Sequence, residues 1–355
     1  MKPASQMSWE AFHALDPDMQ SGLLQKDGHI FHVLYARQFE RDRLEAMGLL
    51  ATRIRKIAKT VDGMHFLRDQ LFHKRAMLYF TQPSTRTFLS FYSACQILGM
   101  AVGEVRDKSM SSEFKGETPE DAVRSFSSYF DMIIMRSAIG GLAERMAWVF
   151  MNSDRPVPVI NAGSGKDQHP TQALLDIYTL QRSFEDRGGI DGKTILFCGD
   201  LARGRTVRSL ANLLTNYDDM RLIFSAPAAL TIGNDILASL TQRNVPYEVS
   251  ADFERFIPEA DAIYMTRIQD EWDSVKGESQ TVDTSIYAFE KRHLAVLKPD
   301  AVIMHPLPRR NEIDHAVDAD PRAVYWRQMR NGMWIRAALI ATIFNCAERI
   351  NDYLP

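Results

Sequence analysis

Ala76-Met77-Leu78-Tyr79-Phe80-Thr81-Gln82-Pro83-Ser84-Thr85-Arg86-Thr87 decides the class of fold. An apolar run of strand length ends at Phe80, Pro83 marks a turn, and the spacing of apolar residues from Phe88 to Leu98 is helical. A strand that passes into a helix through a short polar turn is half of a parallel βα unit. The pattern recurs along the chain. Short apolar runs with β-branched residues stand at Met132 to Met135, Pro158 to Ile160, Ile195 to Cys198, Leu222 to Phe224, Ile263 to Met265 and Val302 to Met304. Helically spaced segments separate them. Such alternation predicts an α/β fold of parallel sheets covered by helices on both faces.

At 355 residues the chain exceeds one ordinary hydrophobic core and suits two domains. Thr171 to Phe184 reads as one helix, with Pro170 at its start, where a missing amide proton costs nothing. The turn Asp186-Arg187-Gly188-Gly189 follows, and the domain boundary is placed there. The expectation is therefore two doubly wound α/β domains, one over 31–185 and one over 190–330, after an N-terminal extension over 1–30. The segment Met333 to Tyr353 is again helical and apolar on one side. In a two-domain chain of this type it is expected to pack back on the first domain, which then takes in 333–355.

Composition excludes several classes. Hydrophobic residues at 45% and charged residues at 25% suit a globular protein, and no apolar run reaches membrane-spanning length. Residues 1–20 lack the basic start and apolar middle of a secretory signal, so a cytoplasmic location is expected. Cys95, Cys198 and Cys346 each sit in apolar surroundings without metal-ligand spacing, so neither a disulfide framework nor a zinc site is expected. A formal net charge of -3 offers no broad basic field for a nucleic-acid backbone. Anions must then be met by locally placed arginines.

Several segments carry such chemistry. Ser84, Thr85, Arg86 and Thr87 place hydroxyls and a guanidinium at a helix start, where open backbone amides favour phosphate; the alternative is an ordinary cap with a surface arginine. Arg136 ends a strand, where ligands of parallel α/β sheets gather. The loop Lys108 to Thr118 is polar and carries Ser111 and Lys115. His169-Pro170-Thr171-Gln172 sets a histidine and an amide at a helix start. Arg205 and Arg267 follow two further strand ends and would suit a dicarboxylate, with Gln269 two residues beyond Arg267. His305-Pro306-Leu307-Pro308 follows the strand Ala301 to Met304, and its prolines leave backbone carbonyls without amide partners. Nucleotide loops are not supported. Gly199 and Gly204 lack the Gly-x-Gly-x-x-Gly spacing, and Gly165-Lys166 is followed by Asp167 where a phosphate loop needs Ser or Thr.

Together and in this order these segments resemble the carbamoyltransferase family, over roughly Phe31 to Ile350. The phosphate motif is Ser84 to Thr87, the flexible loop Ser111 with Lys115-Gly116-Glu117-Thr118, and the His-Pro-x-Gln element His169 to Gln172. Gly204-Arg205-Thr206, Arg267-Ile268-Gln269 and His305-Pro306-Leu307-Pro308 match the aspartate-accepting branch; ornithine-accepting relatives usually carry cysteine where this chain has Pro306. The resemblance implies transfer of the carbamoyl group from carbamoyl phosphate to the amino group of L-aspartate, with no cofactor or metal. Ser84, Thr85, Arg86, Thr87, Ser111, Arg136, His169, Gln172, Pro306 and Leu307 would bind carbamoyl phosphate. Lys115, Arg205, Arg267, Gln269 and Leu307 would bind aspartate, and Arg86, Thr87, Lys115, Arg136 and His169 would be catalytic. A homotrimer is implied, with Ser111 and Lys115 entering the neighbouring subunit's site; larger assemblies with regulatory chains or other pathway enzymes stay open. A cis bond between Leu307 and Pro308 is also implied. The chain departs from the family at Phe88 and Tyr92, where arginine and glutamate are usual, and at Ser137-Ala138, where His-Pro is usual.

Overall fold

A computed structural model describes residues 7–107, 116–163, 169–270 and 287–354. Two compact units make up the chain, Met1–Leu175 with Gly332–Pro355, and Asp176–Asn331. Each is built on a parallel sheet flanked by helices, the doubly wound α/β arrangement.

The first unit holds β1 (Arg75–Phe80), β2 (Ala101–Val105), β3 (Met132–Arg136) and β4 (Val159–Asn161), in the spatial order β2-β1-β3-β4. β1 and β3 are the central pair, and after Arg75 every residue of β1 is buried, as a strand covered on both faces requires. Around them lie α1 (Arg41–Ile57), α2 (Thr85–Ile97), α3 (Pro119–Phe126) and α4 (Leu142–Met151). α3 starts where the sequence says it should: Pro119 fills the first position and the Thr118 side chain accepts from the Asp121 amide at 3.1 Å. The chain runs from β1 to β2 on one side of the sheet and then to β3 on the other. The carboxyl ends of β1 and β3, where Phe80 pairs with Arg136, are therefore a topological switch point, the place where such sheets leave a crevice for ligands.

The described part of the N-terminal extension is built into this unit. Phe12 and Leu24 are fully buried in one cluster with Tyr35, Met77 and Tyr79. The Gln20 amide donates to the carbonyls of Phe12, His13 and Leu15 and accepts from the Tyr35 hydroxyl at 2.5 Å. Burying the Phe12 ring alone stabilises the segment by about 1.5–3 kcal/mol.

The helix α5 (Pro170–Phe184) leads into the second unit. Its sheet contains β5 (Thr194–Cys198), β6 (Arg221–Ser225), β7 (Tyr247–Ser250), β8 (Ala262–Met265) and β9 (Val302–Met304), ordered β9-β8-β5-β6-β7 and parallel throughout. α6 (Arg205–Leu214) follows β5, and α7 (Asn234–Gln242) follows β6. Here the direction reverses between β5 and β8, whose last residues Cys198 and Met265 are paired. The loop leaving β5 leads to Arg205 at the start of α6, and the loop leaving β8 holds Arg267 and Gln269.

Three elements depart from expectation. β2 and β7 were not foreseen, because both are edge strands with polar or exposed positions. The terminal helix expected over Met333 to Tyr353 is two helices, α8 (Tyr325–Ile343) and α9 (Ala347–Asn351). Asn345 breaks them, adopting φ 57° while the Cys346 amide bonds back to the Ala341 carbonyl at 2.8 Å. Residues from Gly332 onward belong to the first unit, where Arg53 on α1 donates to the carbonyls of Asn351 and Tyr353. No helix among the described residues is long and apolar enough to cross a membrane.

Candidate active site

In the first unit, Ser84 is the extended residue before α2, and its side chain makes no capping bond. The amides of the first helical turn, at Thr85, Arg86 and Thr87, are thus not occupied by that hydroxyl and keep their affinity for an anion. Thr87 is buried and Arg86 exposed. Sheet pairing brings the end of β3 alongside: the Gln82 amide donates to the Arg136 carbonyl at 3.2 Å. The Arg136 guanidinium donates to the Ala162 carbonyl at 3.3 Å and lies 3.5 Å from Nε2 of His169. His169 in turn offers its carbonyl to the amides of Gln172 and Ala173, at 3.0 and 3.2 Å, and so forms the entry to α5. Both His169 and Gln172 are buried.

The turn between β4 and α5 keeps Arg136 and His169 together. Asn161, 1% exposed, accepts from the Gly163 amide at 2.8 Å and donates to the Leu34 carbonyl at 3.3 Å. Gly163 has φ 101°, and a Cβ there would stand 2.8 Å from the Arg136 guanidinium and 2.8 Å from the His169 ring. Only glycine fits both that conformation and that approach. Neither Asn161 nor Gly163 was singled out from the sequence; the Asn-Ala-Gly triplet before the His-Pro element is the signal that was available.

Phe88 and Tyr92 pack ring to ring at 5.9 Å, and Phe88 also meets Phe80 edge-on at 5.4 Å. The Arg106 guanidinium covers the Phe88 ring at 4.4 Å. An aromatic contact thus occupies the place of the usual ion pair. Ser137 is buried and accepts from the Ile139 amide at 3.1 Å, closing a tight turn after Arg136. Ser111 and Lys115 lie outside the described residues.

In the second unit, Arg205 is the first residue of α6 and is buried. Arg267 donates to the Ile268 carbonyl at 2.7 Å and stands 3.9 Å from Asp270. Asp200 ties the two loops together: its carboxylate accepts from the Arg203 amide at 3.1 Å and from the Gln269 amide at 3.0 Å. Burial pushes the Asp200 carboxyl up from its ordinary range, against those amides and the charges of Arg203 and Arg267. Gly199 has φ 110°, and a Cβ there would stand 2.1 Å from the Thr266 carbonyl, so the loops approach as closely as backbone permits. Sequence spacing gives no sign of this role, because Gln269 comes beside Asp200 only through the pairing of β5 with β8.

Pro306 and Leu307 follow β9, and the Leu307–Pro308 bond is cis, as the resemblance implies. Leu307 has φ 53°. Among the described residues no group of three His, Cys, Asp or Glu side chains is gathered as metal ligands.

Comparison with known proteins gives concordant results. A family model for the aspartate/ornithine carbamoyltransferase carbamoyl-P binding domain matches residues 32–182, and one for the Asp/Orn binding domain matches residues 191–343. The chloroplastic aspartate carbamoyltransferase of Arabidopsis thaliana is 41% identical over 91% of this chain and 80% of its own. The catalytic subunit from Vibrio cholerae is 43% identical over 77% of this chain and 86% of its own. Among solved structures, the catalytic subunit of M. Jannaschii aspartate transcarbamoylase superposes with TM-score 0.76 at 34% identity, covering 89% of this chain and 98% of that one. The Trypanosoma cruzi enzyme in complex with carbamoyl phosphate and aspartate gives TM-score 0.74 at 32% identity, over 88% and 96%.

Proposed function

The chain belongs to the aspartate/ornithine carbamoyltransferase family, and from that premise we propose which of its residues carry the reaction. It is an aspartate carbamoyltransferase: the carbamoyl group passes from carbamoyl phosphate to the amino group of L-aspartate, giving N-carbamoyl-L-aspartate and phosphate, in pyrimidine synthesis.

In this reading Ser84, Thr85, Arg86 and Thr87 hold the phosphate with the amides of α2, and Arg136 neutralises it. Thr87, Arg136 and His169 face the carbonyl oxygen. Gln172 and the carbonyls of Pro306 and Leu307 take the carbamoyl amine, while Arg205, Arg267 and Gln269 bind aspartate. The unprotonated aspartate amine attacks the carbamoyl carbon, the charge that develops on oxygen meets those fixed donors, and the departing phosphate takes the amine proton. The observation that carries the assignment is the placement of Arg136 at the switch point of its sheet, paired to the end of β1 and 3.5 Å from His169. Arg136→Ala tests it: kcat should fall by about 10²–10³, the cost of one oxyanion donor, with the fold intact. A folded variant within threefold of wild type would sink the assignment.

The domain limits 31–185 and 190–330 are retained as part of this proposal, as is a homotrimer with Ser111 and Lys115 lent to the neighbouring site. Three free thiols suit a reducing compartment, and we place the enzyme in the cytoplasm, although the plant relatives are named as chloroplastic.

A further inference from the structure

The turn after β9 is anchored by a histidine to which the reaction assigns no part. The Leu307 amide donates to Nδ1 of His305 at 2.7 Å, and Nε2 of the same ring lies 2.6 Å from Oε1 of Glu312. A ring that accepts at Nδ1 must carry its proton on Nε2, so it donates to the carboxylate and has a single tautomer. Glu312 is itself fixed, its two oxygens accepting from the Arg310 amide at 3.1 and 3.0 Å. The His305 side chain has no exposed surface, and its own amide donates to Oε1 of Gln328 at 2.9 Å. Gln328 donates onward to the buried Asp176 at 2.7 Å. Burial holds the His305 ring below the ordinary histidine value, Glu312 acting against this and Arg267 and Arg309 with it, so the ring stays neutral and its Nδ1 lone pair available.

Peptide geometry gives this anchor a consequence. In a trans peptide the carbonyl points opposite to the amide that follows it. Of the bonds in this turn only Leu307–Pro308 is cis. The Leu307 amide turns inward onto a buried ring, so the Pro306 carbonyl must turn outward. Leu307 itself has a left-handed φ of 53°, unusual for a residue with a branched side chain.

We propose that His305, its tautomer set by Glu312, is a positioning residue that aims the Pro306 carbonyl at the amine of carbamoyl phosphate. The inference rests on the assignment of Pro306 and Leu307 to that amine, and its test separates the two. Acetyl phosphate has a methyl group where carbamoyl phosphate has the amine, so it cannot donate to either carbonyl. The ratio of apparent affinities for the two compounds therefore reads this contact, and inhibition by inorganic phosphate reads the phosphate site alone. Wild type should favour carbamoyl phosphate by about tenfold or more, as one or two hydrogen bonds require. His305→Phe, which fills the ring's space without a lone pair, should lower that ratio at least fivefold and leave phosphate inhibition within twofold. His305→Asn restores an acceptor near the Nδ1 position and should keep the ratio within about threefold of wild type. If the Phe variant does not fold, Glu312→Leu is read in its place against the same limits. An unchanged ratio in a folded variant, or phosphate inhibition weakened as much as the ratio, would overturn the role of His305. A wild type with no preference would overturn the assignment of Pro306 and Leu307 and this proposal with it.

Discussion

Replacing Gly163 with alanine separates positioning from stability, and the structure sets both magnitudes. The new Cβ would lie 2.8 Å from the Arg136 guanidinium and 2.8 and 2.9 Å from two atoms of the His169 ring. Ordinary contacts are about 3.5–4.0 Å, so these groups must withdraw by roughly 0.7–1.2 Å. His169 has little room to do so, since it is 4% exposed and its carbonyl accepts the first amides of α5. The left-handed backbone at φ 101° adds about 1–2 kcal/mol for any residue with a Cβ. Against a native margin of about 5–15 kcal/mol that cost leaves the protein folded. A misplacement near 1 Å at reacting groups costs about 10²-fold in rate. The rate effect should therefore dominate: kcat down by about 10², with a loss of about 1–3 kcal/mol in urea unfolding. Carbamoyl aspartate formation and a denaturation curve on the same preparation provide the measurement. A folded Gly163→Ala enzyme within threefold of wild-type kcat would refute the reasoning.

Three further outcomes are expected. Asp176→Ala strips partners from the Tyr264 hydroxyl, 2.8 Å away, and from the Gln328 amide, both buried, and should destabilise the protein by about 2–5 kcal/mol in urea titration. His32 is fully buried, accepts from the Val159 amide at 3.1 Å, and has its pKa lowered by burial to about 3. The unfolded chain takes up that proton first, so stability is complete above about pH 6.5 and falls by roughly 1.4 kcal/mol per unit as the pH drops from there toward about 3. Between pH 7.5 and 5.5, His32→Gln should lose about 1 kcal/mol less than wild type; equal losses would remove His32 as the cause. Mixing Arg86→Ala with Lys115→Ala chains should restore activity that neither shows alone, because a hybrid trimer with shared sites regains one intact site. No recovery after verified subunit exchange would count against the shared site.

Much of the fold was legible because central strands of a parallel sheet are buried on both faces. β1, β3, β5, β6 and β8 read as apolar runs for this reason, and the edge strands β4 and β9 did so too because each is short and buried along its whole length. β2 and β7 did not. Gly103 and Glu104 interrupt one, and Tyr247 and Val249 alternate with polar residues in the other, since an edge strand has only part of its surface to hide. The early start of α8 was concealed differently. Gln328 and Asn331 look like surface positions, yet they are buried because Asp176 and Thr179 supply their hydrogen bonds. The site residues were readable as motifs at strand ends. Their supports were not: Asp200 bonds the distant Gln269 amide, Gly163 leaves room for the Arg136 and His169 side chains, and Asn161 and His305 hold backbone amides two residues on, roles set by backbone geometry that residue type does not announce.

The measurement that bears most directly on the account is the fate of carbonyl-labelled carbamoyl phosphate offered to the purified enzyme with equal aspartate and ornithine. The two arginines and Gln269 around the β5 and β8 ends predict that label appears in carbamoyl aspartate with stoichiometric phosphate release. Label appearing mainly in carbamoyl ornithine would contradict the account.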